Sequence, residues 1–240
     1  MDREPQYEIK NISKSFYHDS WKSLISRKKI IALKNININF NEGDRIGILG
    51  KNGSGKSTLL KIVGNIILAD QAEFTYVNKN IITSYVSGNE RSFFWRLTVR
   101  ENLDFFCKIY GVNKEYASKK INELAKDFNI QDFLDLKFMT LSTGMKKRIS
   151  IVRALLKNPD IFLFDEITNS LDLSSTQKIL NRVKDLGFDQ QKKIIFWATH
   201  DYTEVIELCD KAIILDRGDQ VKIINRGEKD FNEKYFKQLL

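Results

Sequence analysis

The sequence predicts an α/β fold in which a mainly parallel sheet is covered on both faces and interrupted by a helical insertion. Three observations lead there. Short continuous apolar runs at 161–164 and 194–197 are separated by a helical pattern (Ile179, Leu180, Val183, Leu186), as in buried parallel strands. A glycine-rich stretch at 50–57 joins an apolar run to an amphipathic one. From about residue 97 to 158 helical spacing dominates instead, which marks an all-helical insertion into an α/β core.

Taken in order, residues 7–16 read as a first strand, and Ile36, Ile38 and Phe40 alternate with Asn35, Asn37, Asn39 and Asn41 in a second. Residues 17–29 between them mix Trp21, Leu24 and Ile25 with basic residues, which suits a short amphipathic helix with a basic face or a surface loop. Arg45-Ile46-Gly47-Ile48-Leu49 reads as a buried strand, followed after the glycine-rich stretch by a helix with Leu59, Leu60, Ile62, Val63 and Ile66 on one face. Another strand is expected at 81–86. The insertion carries Leu103, Phe106, Ile109 and Tyr110, then Ile121, Leu124 and Phe128, then Ile149, Val152 and Leu156. Strands resume at 161–164, 194–197 and 212–215, and 228–240 closes the chain as a helix. The expectation is one domain, 1–240, with a helical subdomain at about 92–158.

The 240 residues are enough to bury a substantial core. The formal charge of +8 permits nucleic acid or an anionic membrane surface as a neighbour and does not choose between them. The local basic clusters, Arg27-Lys28-Lys29 and Lys146-Lys147-Arg148, read as solvated surface. Cys107 and Cys209 have no metal-ligand spacing and suggest ordinary thiols in a reducing compartment. No stretch approaches the ~20 apolar residues of a membrane span and the polar start is unlike a signal peptide, so a cytoplasmic protein is expected.

Gly50-Lys51-Asn52-Gly53-Ser54-Gly55-Lys56-Ser57 fits the phosphate-binding pattern G-x-x-x-x-G-K-[ST], with Thr58 following, and its strand-to-helix context makes it a nucleotide site. The glycines let backbone N–H groups turn inward around an anion, and the new helix adds the positive end of its dipole. Lys56 is expected to reach the β- and γ-phosphates, and Ser57 to ligate Mg²⁺. Asp165 and Glu166 end the apolar run 161–164 at the carboxyl edge of a buried strand, where parallel sheets bind ligands. Asp165 is a hard oxygen ligand for the same Mg²⁺, and Glu166 is the candidate base for the attacking water. Ser142 and Gly144, in Leu141-Ser142-Thr143-Gly144-Met145 ahead of a helix, form a candidate second anion site. His200 leaves the 194–197 strand and is placed to hydrogen-bond a γ-phosphate or the attacking water.

In this order the parts, with Ser170-Leu171-Asp172 between the carboxylates and His200, resemble the motif set of the ATP-binding cassette (ABC) ATPases over residues 9 to about 227. That resemblance implies a P-loop NTPase fold with an antiparallel β subdomain and an inserted helical subdomain, and ATP with Mg²⁺ as ligands. It implies a head-to-tail pairing with a second copy, each ATP lying between one phosphate loop and the other copy's Ser142 and Gly144. Asp172 would bridge the two sites. Phe16 stands at the position that stacks on adenine, with Tyr17 as the alternative. Counting back from Leu97-Thr98-Val99-Arg100-Glu101-Asn102-Leu103, Asn89 takes the place of the family's metal-contacting glutamine, with Glu90 as the alternative.

Thr143 and Met145 replace a glycine and a glutamine of the usual signature, a variant similar to that of ABC-2 type exporters. The Pro and Gly usual near 167–170 are also missing. Phe93, Phe94 and Trp95 fall where the family's groove receives a membrane permease, the alternative being burial of one or two of them in the core. The basic 17–29 insert and the short link before Asn89 look like the ATPases of polysaccharide, teichoic acid and polyol-phosphate exporters. A peripheral ATPase on the cytoplasmic face of the membrane, contacting its cargo mainly through the permease, is therefore expected. The alternatives are a drug or lipid exporter of the same group, and a soluble ABC ATPase acting on ribosomes or DNA. The second usually carries two cassettes or a long coiled coil, so no nucleic-acid partner is expected.

Overall fold

The computed structural model describes residues 6–18, 28–76, 80–88, 92–169, 171–188 and 193–239. The strands among them are β1 (Tyr7–His18), β2 (Lys28–Phe40), β3 (Arg45–Leu49), β4 (Gln71–Tyr76), β5 (Thr83–Ser87), β6 (Ile161–Asp165), β7 (Ile194–Thr199), β8 (Lys211–Asp216) and β9 (Asp219–Asn225). The helices are α1 (Lys56–Val63), α2 (Val99–Ile109), α3 (Lys114–Asp127), α4 (Thr143–Leu156), α5 (Leu173–Phe188), α6 (Tyr202–Leu208) and α7 (Glu233–Leu239). One sheet runs β4-β1-β2-β9-β8-β3-β7-β6-β5. Its core, β8-β3-β7-β6-β5, is parallel throughout. The β4-β1-β2 wing is antiparallel, and β9 returns antiparallel to β8.

The parallel strands read as continuous apolar runs because both of their faces are buried. Ile161 and Leu163 of β6, with Ile194 and Phe196 of β7, pack against Leu59, Leu60, Ile62 and Val63 of α1. Phe162, Phe164, Ile195 and Trp197 face the opposite core with α4, α6 and α7. Ile66 departs from the expected helical face. Helix α1 ends at Val63, and Ile66 lies beyond it with 51% of its surface exposed.

The ends of the 17–29 insert are also corrected. Tyr17 pairs with Lys29 and His18 with Lys28, so the antiparallel ladder continues past Phe16 on both strands. Residues 19–27, with Trp21, Leu24 and Ile25, lie outside the described residues. Within β1 and β2 the alternation is broken by Asn11 and Asn35, at φ +58 and +48, where the register of β1 shifts. Asparagine tolerates the left-handed region better than other non-glycine residues, which suits it to such a bulge.

Helices α2, α3 and α4 lie in the chain between β5 and β6. A capping box starts α2: Thr98 Oγ1 accepts from Glu101 N at 3.2 Å and Glu101 Oε2 accepts from Thr98 N at 2.7 Å. Asn102, fully buried one turn later, ties down the preceding segment. Its Oδ1 accepts from Phe94 N at 2.8 Å, and its Nδ2 donates to Phe94 O at 3.0 Å and Thr98 O at 2.9 Å. Asn102→Ala strands these half-buried backbone groups, so a loss of about 2 kcal/mol is expected. Thermal melting of the full chain would read it as a drop of roughly 4–8 °C.

Candidate functional site

Strand β3 delivers the chain at its carboxyl end into the loop 50–55, and α1 begins at Lys56. Two glycines are required by geometry. A Cβ on Gly50 would lie 2.4 Å from both Leu215 O and Ser54 Oγ, and one on Gly55, at φ +109, would lie 2.6 Å from Ala32 O. Lys56 is buried, and its ammonium donates to Gly50 O at 2.7 Å and Lys51 O at 3.2 Å. It also pairs with Glu166 Oε1 at 3.2 Å. Ser54 Oγ is buried with no hydrogen-bond partner among the described residues. A loop with an orphaned hydroxyl, a buried cation and a fresh helix N-terminus is chemically an anion cradle.

Asp165 and Glu166 enter from the neighbouring edge of β6. Ser57 Oγ donates to Asp165 Oδ1 at 3.0 Å, which joins two hard oxygens from different elements. Such a pair fits Mg²⁺, which takes few protein ligands and shares the rest with phosphate and water. Glu166 has φ +50, a costly conformation for a non-glycine residue, and its backbone is held by Glu166 N donating to Ala198 O at 2.9 Å and Asn169 N to Glu166 O at 3.2 Å. His200 stands exposed at the end of β7, its Nδ1 4.0 Å from Glu166 Oε1. Lys56, Ser57, Asp165, Glu166 and His200 thus converge at the carboxyl edges of β3, β6 and β7, and Ser57, Asp165 and Glu166 line a cavity of about 510 Å³ there.

The other expected residues are placed as follows. Ser142 caps α4, its hydroxyl accepting from Met145 N at 3.3 Å, and Thr143 and Lys147 of the same helix line the cavity. Asp172 caps α5: Ser175 N and Oγ donate to its carboxylate at 2.9 and 2.7 Å and hold it below the ordinary carboxylate range. Phe16 and Tyr17 are exposed on β1, with the Lys14 ammonium 5.6 Å from the Phe16 ring centre. Asn89, Glu90 and Ser170 lie outside the described residues. Of the three consecutive aromatics, Phe93 is buried and stacks on Phe138 at 4.3 Å, whereas Phe94 and Trp95 are 45% and 53% exposed.

Four residues of the site were not expected. Tyr85 donates its hydroxyl to Asp165 Oδ2 at 2.5 Å. Gly88 N donates to Asp165 O at 3.0 Å, and a Cβ there would meet Glu166 O at 2.7 Å. Asn169 Nδ2 donates to Glu166 Oε2 at 2.7 Å. Lys147 is only 4% exposed, so that part of the basic cluster 146–148 is not solvated surface. No pattern within the 81–86 strand, Ile81-Ile82-Thr83-Ser84-Tyr85-Val86, singles out Tyr85.

The model of the family described as ABC transporter matches residues 33–169. The ABC transporter ATP-binding protein NatA of Bacillus subtilis (strain 168) is 31% identical over 211 residues, covering 84% of each chain. The methionine import ATP-binding protein MetN of Haemophilus ducreyi is 32% identical over 232 residues, covering 92% of this chain and 64% of that protein. The dimeric post-hydrolysis structure of the ATP-binding cassette MJ0796 bound to ADP and Pi superposes with a TM-score of 0.78 at 27% identity, over 92% of this chain and all of the other. The structure of cbiO1 from Clostridium perfringens, part of the cbiONQ transporter complex, shares the fold at a TM-score of 0.78, with 23% identity over 97% of this chain and 93% of that one.

Proposed function

The chain belongs to the ABC transporter family and is one of its ATPase subunits, and from that premise we propose that it powers an ABC-2 type exporter of a cell-surface polysaccharide, teichoic acid or polyol-phosphate. The observation that carries the exporter reading is the first turn of α4, where Thr143 and Met145 stand in the signature beside Ser142 and Gly144. Methionine-import relatives at 32% identity favour an importer as the second reading. No helix among the described residues is long and apolar enough to cross a membrane. From the family relationship we place the ATPase at the cytoplasmic face, bound to permease subunits. Phe94 and Trp95 are its exposed anchors for that contact. Co-expression with a candidate six-span permease tests the direction. Export predicts ATP-driven uptake of a labelled polyol-phosphate into inverted vesicles, and import predicts none.

The site divides the labour of hydrolysis among this chain's residues. Backbone N–H groups of 50–58 and the Lys56 ammonium neutralise the β- and γ-phosphates. Glu166 orients the attacking water and accepts its proton, and His200 supports the γ-phosphate from the end of the neighbouring strand. Ser57 and Asp165, with Asn89 as a further ligand, would hold Mg²⁺, which would supply charge neutralisation at the phosphates. Ser142 and Gly144 close the site of a second copy, Asp172 bridges the two, and Phe16 carries the adenine. The dimeric MJ0796 structure with ADP and Pi supports this pairing.

Tyr85 orients Asp165 through its hydroxyl. Tyr85→Phe removes that donor without changing the strand, and outer contacts of this kind are worth roughly 10-fold in metal affinity. The Mg²⁺ concentration giving half-maximal thermal stabilisation by ADP is expected to rise by about that factor.

A further inference from the structure

We propose that Lys147 is a positioning residue for hydrolysis, which fixes the carboxylate of Glu166 through Asn169 and so ties helix α4 to the water-activating group. The proposal rests on Glu166 being the base. Lys147 lies between two cations that behave differently. The Lys146 ammonium lies 4.8 Å from the ring centre of half-exposed Trp95, and Arg148 Nη1 donates to Phe128 O at 3.4 Å and Asn129 O at 3.2 Å. Lys147 instead turns inward, where its ammonium donates to Asn169 O.

Asn169 is the last residue of the turn that begins at Glu166, closed by Asn169 N donating to Glu166 O. The same asparagine reaches back with Nδ2 to Glu166 Oε2 at 2.7 Å. Pinning its carbonyl on α4 therefore sets where its amide stands, and the amide sets one oxygen of the carboxylate. The other oxygen, Oε1, faces Lys56 and His200 and is the one left to meet water. A two-link chain thus runs from the helix that carries Ser142 and Gly144 to the base of this chain's own site.

Burying an ammonium costs free energy unless it is paired and hydrogen-bonded. Burial draws the Lys147 pKa down, and the negative charge of Glu204 opposes that shift. Glu204 is itself buried in α6, where its Oε2 accepts from Trp197 Nε1 at 2.9 Å. The hydrogen bond to Asn169 O is what holds the ammonium in place. A lysine at this position would be solvated if α4 needed only a polar face.

The test is steady-state ATP hydrolysis by the full chain with Lys147→Met, Asn169→Ala and the double variant. Lys147→Met is expected to lower kcat about 10-fold with KM for ATP unchanged, because the group acts on geometry in the transition state and not on binding. The double variant should be no slower than Asn169→Ala alone, since both break one chain. Unchanged kcat, a rise in KM alone, or losses that multiply in the double variant would each overturn the proposal. Should Lys147→Met not fold, Asn169→Ala must still lose kcat at constant KM, or the proposal is wrong. Glu166→Gln in the same assay separates the two levels: full turnover there removes the base itself, whereas its loss beside an unaffected Lys147→Met removes only the relay.

Discussion

Glu166→Gln is expected to reduce ATP turnover by about 10²–10⁴-fold while leaving nucleotide binding intact, the range associated with loss of a general base. The substitution keeps the size of the side chain and an oxygen for Asn169 Nδ2, which now bonds Glu166 Oε2 at 2.7 Å. What it removes is the capacity to accept a proton. It also removes the negative charge 3.2 Å from the Lys56 ammonium, so Lys56 meets phosphate without an internal competitor and affinity should hold or improve.

Phosphate release read beside fluorescent-nucleotide binding separates the two effects. Gel filtration in ATP should show the variant held as a dimer, since closed pairs no longer discharge. Unchanged turnover would exclude Glu166, and His200, with Nδ1 4.0 Å away, would then be the proton acceptor to examine.

The parts of the site that can be read along the chain are those in which a local pattern builds a local geometry. Gly50 to Ser57 is such a part, because the spacing of the glycines is itself the shape of the loop. Asp165, Glu166 and His200 are legible for a related reason: each follows an apolar run, and the end of a buried parallel strand is where polar groups emerge. Tyr85 and Asp165 are eighty positions apart, and no periodicity announces a bond that exists only because β5 and β6 lie side by side.

Lys147 is hidden in the sequence for the opposite reason. Three consecutive cations resemble a wet surface, and only the packing of α4 on the 166–169 turn shows that the middle one faces inward. The aromatics at 93–95 divide in the same way. Phe93 is taken by Phe138 and the Arg153 guanidinium, 4.7 Å from its ring centre, while Phe94 and Trp95 stay outside.

Lys56→Ala is the complementary experiment, expected to weaken nucleotide binding by roughly 100-fold or more. Charge-assisted hydrogen bonds contribute about 1.5–3 kcal/mol each, and Lys56 is expected to make such bonds to two phosphates. The deletion also acts on the empty loop. Gly50 O and Lys51 O lose their donor, and Glu166 loses its cation inside a half-buried site. A fall in affinity could then be blamed on a collapsed loop, and thermal melting distinguishes the causes. A loop defect lowers the melting temperature without nucleotide, whereas a lost phosphate contact abolishes the rise on adding it. For the unmodified chain that rise corresponds to about 2.7 kcal/mol at a ligand concentration 100 times Kd. Lys56→Ala should lose nearly all of it at the same concentration even where its unliganded melting is little changed. A variant that keeps the full nucleotide-dependent rise would show that the buried ammonium serves only to close its own loop, and the phosphate assignment would have to move elsewhere.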